Sequence, residues 1–204
     1  MDKETLYLWD IAGTLFYEKW NKELTGFDSF ESYVKSKGVS FTDARGFEEC
    51  YQEPYLHGEM FNLDIMPGYR EVLSWTKNNE TFSTGFQEQL RWRASYLNSK
   101  VGFDILSFFR KLGSTFDYGE TNVKTEEMLE KYLAQKKSDG YDTIVYTDDK
   151  LENCGLFKTA AEKAGVGFRV YHILNDSGGL RGKGWYWDVG SLHDLKKNEE
   201  KIRK

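Results

Sequence analysis

Tyr7-Leu8-Trp9-Asp10-Ile11-Ala12-Gly13-Thr14-Leu15-Phe16 carries the pattern on which the architecture of the chain turns. Leu6–Trp9 reads as a short buried strand that delivers one carboxylate, Asp10, to a tight Gly13-Thr14 turn. A carboxylate placed where a buried strand gives way to a turn can serve as a nucleophile and as a metal ligand. Taken alone, Asp10 serves equally well as a turn or helix cap.

Beyond this stretch the pattern alternates strand and helix. Met66-Pro67-Gly68 marks a boundary, and Pro67 starts a helix running from Tyr69 to about Asn78. A short strand ends at Phe82-Ser83-Thr84-Gly85, followed by a helix over Gln87–Asn98 and a short strand over Lys111–Phe116. Thr125 and the acids behind it cap a helix over Thr125–Gln135. Asp142-Thr143-Ile144-Val145-Tyr146-Thr147 is the clearest strand and ends in Asp148-Asp149. A helix over Leu151–Ala164, closed by Gly165, and a last buried strand over Phe168–Leu174 complete the series. Such alternation predicts an α/β fold: a three-layer, Rossmann-like parallel sheet with helices on both faces. Functional residues in such sheets gather beyond the carboxyl ends of the strands. Asp10, Ser83, Thr84, Asp148 and Asp149 all fall there, which is an argument for a site that needs no relative.

The region between Phe16 and about Ile65 reads differently. It is rich in aromatic residues, mostly helical in pattern, and holds no convincing buried strand; Phe27, Phe30, Tyr33 and Val34 recur at helical spacing. Its many rings are read chiefly as packing residues, as are Trp185 and Trp187.

Composition narrows the function classes. The 204 residues suit one domain with a modest insertion, and 39% hydrophobic with 16% aromatic residues can fill a core. A formal charge of −5 gives no reason to expect a nucleic-acid partner. The Lys196…Lys204 tail, with Glu199 and Glu200 inside it, reads as a solvated helix end. Cys50 and Cys154 form no disulfide framework or metal motif, no apolar run is long enough to span a membrane, and Met1-Asp2-Lys3-Glu4 is not a signal peptide. A cytoplasmic protein is expected, and nothing in the sequence sets an oligomeric state.

Together these residues resemble the haloacid dehalogenase (HAD) superfamily. Leu8-Trp9-Asp10-Ile11-Ala12-Gly13-Thr14-Leu15 is similar to the family's first motif, Asp-x-Asp-Gly-Thr after a strand. Phe82-Ser83-Thr84-Gly85 resembles the second, Lys124 the third, and Ile144-Val145-Tyr146-Thr147-Asp148-Asp149 the fourth. Met66–Leu73 resembles the segment that re-enters the core behind an inserted cap. The resemblance divides the chain into a HAD-like core at 1–15 and 66–204 and a small helical cap at 16–65. It implies a Mg²⁺-dependent phosphohydrolase acting on a small phosphorylated metabolite through an aspartyl-phosphate. Asp10 is then the nucleophile. The metal is held by Asp10, the backbone carbonyl of Ala12 and Asp149, with Asp148 acting indirectly and Asn153 in support. Ser83 or Thr84, with Gly85, binds the phosphoryl oxygens, and Lys124 offsets their charge. For Asp148-Asp149 the structural alternative is a cap on the next helix, and for Lys124 an ordinary surface lysine.

Ala12 departs from the pattern. The family's phosphatases carry a second Asp there, which protonates the leaving alcohol and then activates water; such help contributes roughly 10²–10⁴ in rate. The departure leaves three readings open: a phosphohydrolase with a substitute acid, for which Glu18, Tyr17 and His57 are candidates; a phosphonatase-like or dehalogenase-like hydrolase, the former needing a cap lysine among Lys19, Lys22, Lys35 and Lys37; or a non-catalytic protein that binds a phosphorylated ligand.

Overall fold

Residues Leu6–Trp9 are all buried, yet they serve two different cores because successive strand side chains leave on opposite faces. Tyr7 and Trp9 join one apolar cluster; Leu6 and Leu8 join the other. The computed structural model that places them describes residues 4–56, 60–102, 104–174, 176 and 178–203. In chain order the strands are β1 (Glu4–Trp9), β2 (Phe16–Trp20), β3 (Phe61–Ile65), β4 (Asn79–Ser83), β5 (Phe109–Ser114), β6 (Tyr141–Asp148), β7 (Gly167–Ile173), β8 (Arg181–Gly182) and β9 (Trp187–Val189). The helices are α1 (Lys22–Thr25), α2 (Phe30–Ser36), α3 (Ala44–Glu49), α4 (Gln52–Leu56), α5 (Tyr69–Trp75), α6 (Gln87–Val101), α7 (Glu126–Ser138), α8 (Leu151–Ala164) and α9 (Leu192–Ile202).

The main sheet has the order β5-β4-β1-β6-β7-β9-β8, parallel throughout except for the β8–β9 edge pair. One face packs on α5, α6 and α9 through Val72, Leu73, Leu90, Ala94, Leu97, Leu192 and Leu195. The other packs on α7 and α8 through Leu129, Tyr132, Leu133, Phe157, Ala160 and Ala161. This is the expected three-layer α/β, Rossmann-like architecture. From β1 the chain builds outward through β4 to β5, then returns over α7 to β6 on the other side of β1. The order therefore reverses between β1 and β6, where a crevice opens beyond the strand ends.

Two sequence expectations need correction here. Residues 16–65 are not free of strands: β2 and β3 pair antiparallel from Phe16↔Ile65 to Trp20↔Phe61 and form a ribbon that bounds α1–α4. β2 holds only five residues, several of them half-buried, and its partner lies some forty residues away, so local periodicity carries little signal. The aromatic residues do pack together: Trp20, Phe47 and Tyr51 surround Phe30, Tyr33 and Phe61, and Tyr96 of α6 joins them from the core side. The second correction is the C-terminal helix, which is not simply solvated. Glu199 is fully buried and accepts from Tyr7, Tyr171 and both Nε and an Nη of Arg169.

The final strand predicted, at Phe168–Leu174, is β7, but β8 and β9 follow it. Trp187 lies in β9 and stacks on Tyr171, so its packing role stands. Among the described residues no helix is long and apolar enough to cross a membrane.

Candidate active site

The crevice at the strand-order reversal is built from three loops. After β1 the backbone turns at once: Asp10 N–H still donates to Thr147 O of β6, while Leu15 N–H folds back to Ile11 O. Gly13 sits at φ +82°, and a side chain there would overlap the Asp149 carboxylate, so both conformation and space call for glycine. Asp148 and Asp149 follow from β6, and the backbone N–H of Lys150 caps Asp148 Oδ1 at 2.8 Å as α8 begins. Ser83 and Thr84 end β4, and Ser114 Oγ–H donates to the Gly85 carbonyl from the neighbouring strand.

Lys124 arrives from the loop before α7 and is buried, not at the surface. Its Nζ donates to Asp10 Oδ1 at 2.7 Å, to Asp148 Oδ2 at 2.6 Å and to the Tyr146 hydroxyl at 3.2 Å. Burial works against the charge of Lys124, but the carboxylates of Asp10 and Asp148 outweigh it and raise the pKa. Burial pushes Asp10 up, opposed chiefly by Lys124 and also by a hydrogen bond with Ser83. For Asp148 the same burial is overcome by Lys124, Tyr146 and the Lys150 N–H, and its pKa falls below the usual carboxylate range.

Asp10, Asp148 and Asp149 present carboxylate oxygens within 4.8 Å of one another. Their circumstances differ. Asp148 is fully engaged, for Lys124, Tyr146, Lys150 and Asn153 Nδ2 all donate to it. The Asp149 carboxylate receives no hydrogen bond among the described residues, and burial with the charges of Asp10 and Asp148 raises it to about 6. An unpaired, half-buried carboxylate beside two buried ones suits a hard cation with oxygen ligands, the class to which Mg²⁺ belongs. The donor set fits such an ion at Asp10 and Asp149, with Ala12 lining the same cavity. Asn153 acts on Asp148, not on Asp149.

Around these groups lies a cavity of about 310 Å³. It brings together Asp10, Ala12, Ser83, Thr84, Lys124, Asp149 and Asn153, with Asp148 buried beneath. Gly85 borders Gln89 and Glu48 next to it. Of the acid candidates, Glu18 lines the cavity, Tyr17 packs against the apolar core, and His57 lies outside the described residues. The cap lysines proposed from sequence do not line it: Lys37 pairs with Glu53 and Lys22 with Asp28.

Several residues of the site carry no sequence signal. Arg93, in the middle of α6, and Glu48, in α3, meet in the cavity wall. His172 of β7 bridges Asp188 Oδ1 (2.9 Å) and the backbone oxygen of Asp149 (3.1 Å), fixing the Asp149 loop from behind. Its distance in sequence from both partners hides that role.

No family model matches the chain, and a search of curated proteins finds no significant relative. Among solved structures, the chain is similar to a HAD family enzyme from Bacteroides thetaiotaomicron in a magnesium complex, at 16% identity and a TM-score of 0.49, over 80% of this chain and 91% of that one. The wild-type form of that enzyme with magnesium and inorganic phosphate aligns at 15% identity and a TM-score of 0.47, over 81% and 92%. Residue roles in this chain rest on its own geometry.

Proposed function

We propose that this chain is a HAD-type, Mg²⁺-dependent phosphohydrolase that transfers the phosphoryl group of a small phosphorylated metabolite to Asp10 and then to water. The observation that carries the reading is the buried bridge from Lys124 to both Asp10 and Asp148. A lysine sequestered between two acids, at the mouth of a crevice that also holds Ser83, Thr84 and an unpaired Asp149, is an arrangement for gathering and neutralising phosphate charge. Lys124 occupies one oxygen of Asp10 and orients the carboxylate, leaving the other as nucleophile. Ser83 and Thr84 would hold phosphoryl oxygens, with the Gly85 backbone adjoining. Asp10, the Ala12 carbonyl and Asp149 would hold the Mg²⁺, with Asp148 and Asn153 keeping the acidic loop in place; when bound, the ion supplies charge neutralisation for the phosphoryl oxygens. Residues 16–65 act as the cap that selects the organic part of the substrate over a core of 1–15 and 66–204.

The test is hydrolysis of p-nitrophenyl phosphate with Mg²⁺ or EDTA. Wild type should turn over only with metal, and Asp10→Asn should be inactive. Because the p-nitrophenolate leaving group needs no proton, Ala12 does not prevent the first step. Metal-independent hydrolysis, or activity that survives Asp10→Asn, would refute the reading.

A further inference from the structure

Three polar side-chain atoms in the wall of the cavity are buried without a hydrogen-bond partner, Glu18 Oε1, Glu48 Oε2 and Arg93 Nε, and both terminal atoms of Gln89, next to Gly85, are likewise unpartnered. Native interiors satisfy nearly all such atoms, so a cluster of them beside a reaction centre points to work on a ligand. Three form a charged group. Arg93 Nε stands 3.6 Å from Glu18 Oε1, and an Arg93 Nη stands 3.7 Å from Glu48 Oε2. All three side chains are more than nine-tenths buried. Arg93 also lies over the Tyr51 ring, 4.5 Å from its centroid.

Two buried carboxylates share one guanidinium, so the group carries one negative charge too many for a dry site and favours uptake of one proton. The surroundings decide where it goes. Glu48 feels Arg93 and also Lys150, both of which favour its ionised form. Glu18 feels Arg93 but is opposed by the charges of Glu48 and Asp10. Burial raises both, and of the two only Glu18 has Asp10 among the charges that raise it further. The chain path brings Glu18 to the centre. It lies on β2, which begins directly after the Gly13 turn, and Phe16 at its start bridges Ala12.

We propose that Glu18 supplies the proton transfers that Ala12 cannot, as general acid and then general base, an assignment that rests on the phosphohydrolase reading above. In the first step an Asp10 oxygen forms a bond to phosphorus as the P–O bond to the leaving group breaks; the leaving oxygen takes the proton from Glu18. In the second step the Glu18 carboxylate takes a proton from water, whose oxygen bonds to phosphorus as the P–O bond to Asp10 breaks. Phosphate departs and Glu18 is again protonated. Arg93 and Glu48 are positioning residues: they hold the carboxyl in place and set its protonation.

The experiment compares p-nitrophenyl phosphate with phenyl phosphate, whose leaving group needs a proton, in wild type, Glu18→Gln and Glu18→Gln/Ala12→Asp. In Glu18→Gln, turnover of phenyl phosphate should fall by roughly 10²–10⁴ while the first-turnover burst of p-nitrophenolate is retained. Ala12→Asp should restore phenyl phosphate turnover in that background. Independently of turnover, the infrared C=O band of a protonated carboxyl at neutral pH should change frequency in Glu18→Asp, which keeps both carboxyls on Arg93, and stay in place in Glu48→Asp. Equal losses on both substrates, no loss on either, or a band that moves in Glu48→Asp and not in Glu18→Asp would overturn the assignment. Activity that survives Asp10→Asn would instead strike the phosphohydrolase reading, and the infrared result would still assign the proton.

Discussion

Replacing Lys124 with methionine keeps most of the side-chain volume and removes the only cation in contact with Asp10 and Asp148 among the described residues. Three donor contacts disappear, at 2.7, 2.6 and 3.2 Å, and two buried carboxylates are left facing one another. Breaking a buried pair in this way costs about 3–5 kcal/mol, because the desolvated charge that remains has no partner. For a chain of this size that corresponds to a fall in Tm of roughly 6–20 °C. The assay is urea unfolding in EDTA, so that no metal substitutes for the ammonium. The pH dependence follows from the sign of the shift. Asp10 is already raised above its ordinary value by burial, and without Lys124 it rises further. The folded state of the variant then holds protons that the unfolded state releases, so stability recovers as pH falls toward the ordinary carboxylate value. A loss below about 1 kcal/mol, or a deficit independent of pH, would refute the idea that Lys124 neutralises the acid cluster.

Other outcomes follow from neighbouring contacts. Asp149 has a folded pKa of about 6 against an ordinary value of 3.8, so its ionisation weighs against the metal-free fold above about 6 and is relieved as pH falls toward 3.8. Because a metal ion needs the ionised form, the rise in Tm on adding Mg²⁺ should fade as pH drops through about 6; an increment unchanged to about pH 5 would contradict this. Gly13→Ala should abolish Mg²⁺-dependent turnover and lose about 1–2 kcal/mol, since the left-handed backbone and the Asp149 carboxylate both oppose a methyl group; activity assays with thermal melts check it. His172→Ala should weaken Mg²⁺ affinity by roughly 10–100-fold, read by calorimetry, by freeing the Asp149 loop. Glu199→Leu, remote from the crevice, should cost about 3–5 kcal/mol by stranding Arg169 between two tyrosines, with no change in the p-nitrophenolate burst of the protein that remains folded.

The sheet, its parallel sense and the acids at its carboxyl edge are legible in the sequence alone. Those properties are local: Leu6–Trp9 and Ile144–Thr147 are buried on both faces and read as unbroken apolar runs, and a strand that ends in Asp must expose that Asp at the sheet edge. The ribbon β2–β3, the second task of α9 and the wall of the crevice emerge once distant segments have packed. Phe16–Trp20 becomes a strand because Phe61–Ile65 comes back to pair with it, and no window of either segment contains that pairing. Glu199 is drawn out of a charged tail by Tyr7, Arg169 and Tyr171, which lie on two different strands. Arg93 stands in a helix between ordinary neighbours, and only the fold sets it between Glu18 and Glu48. A strand end fixes one side chain's direction from local geometry, whereas a proton shared among three elements depends on distances and desolvation that exist only once those elements have packed.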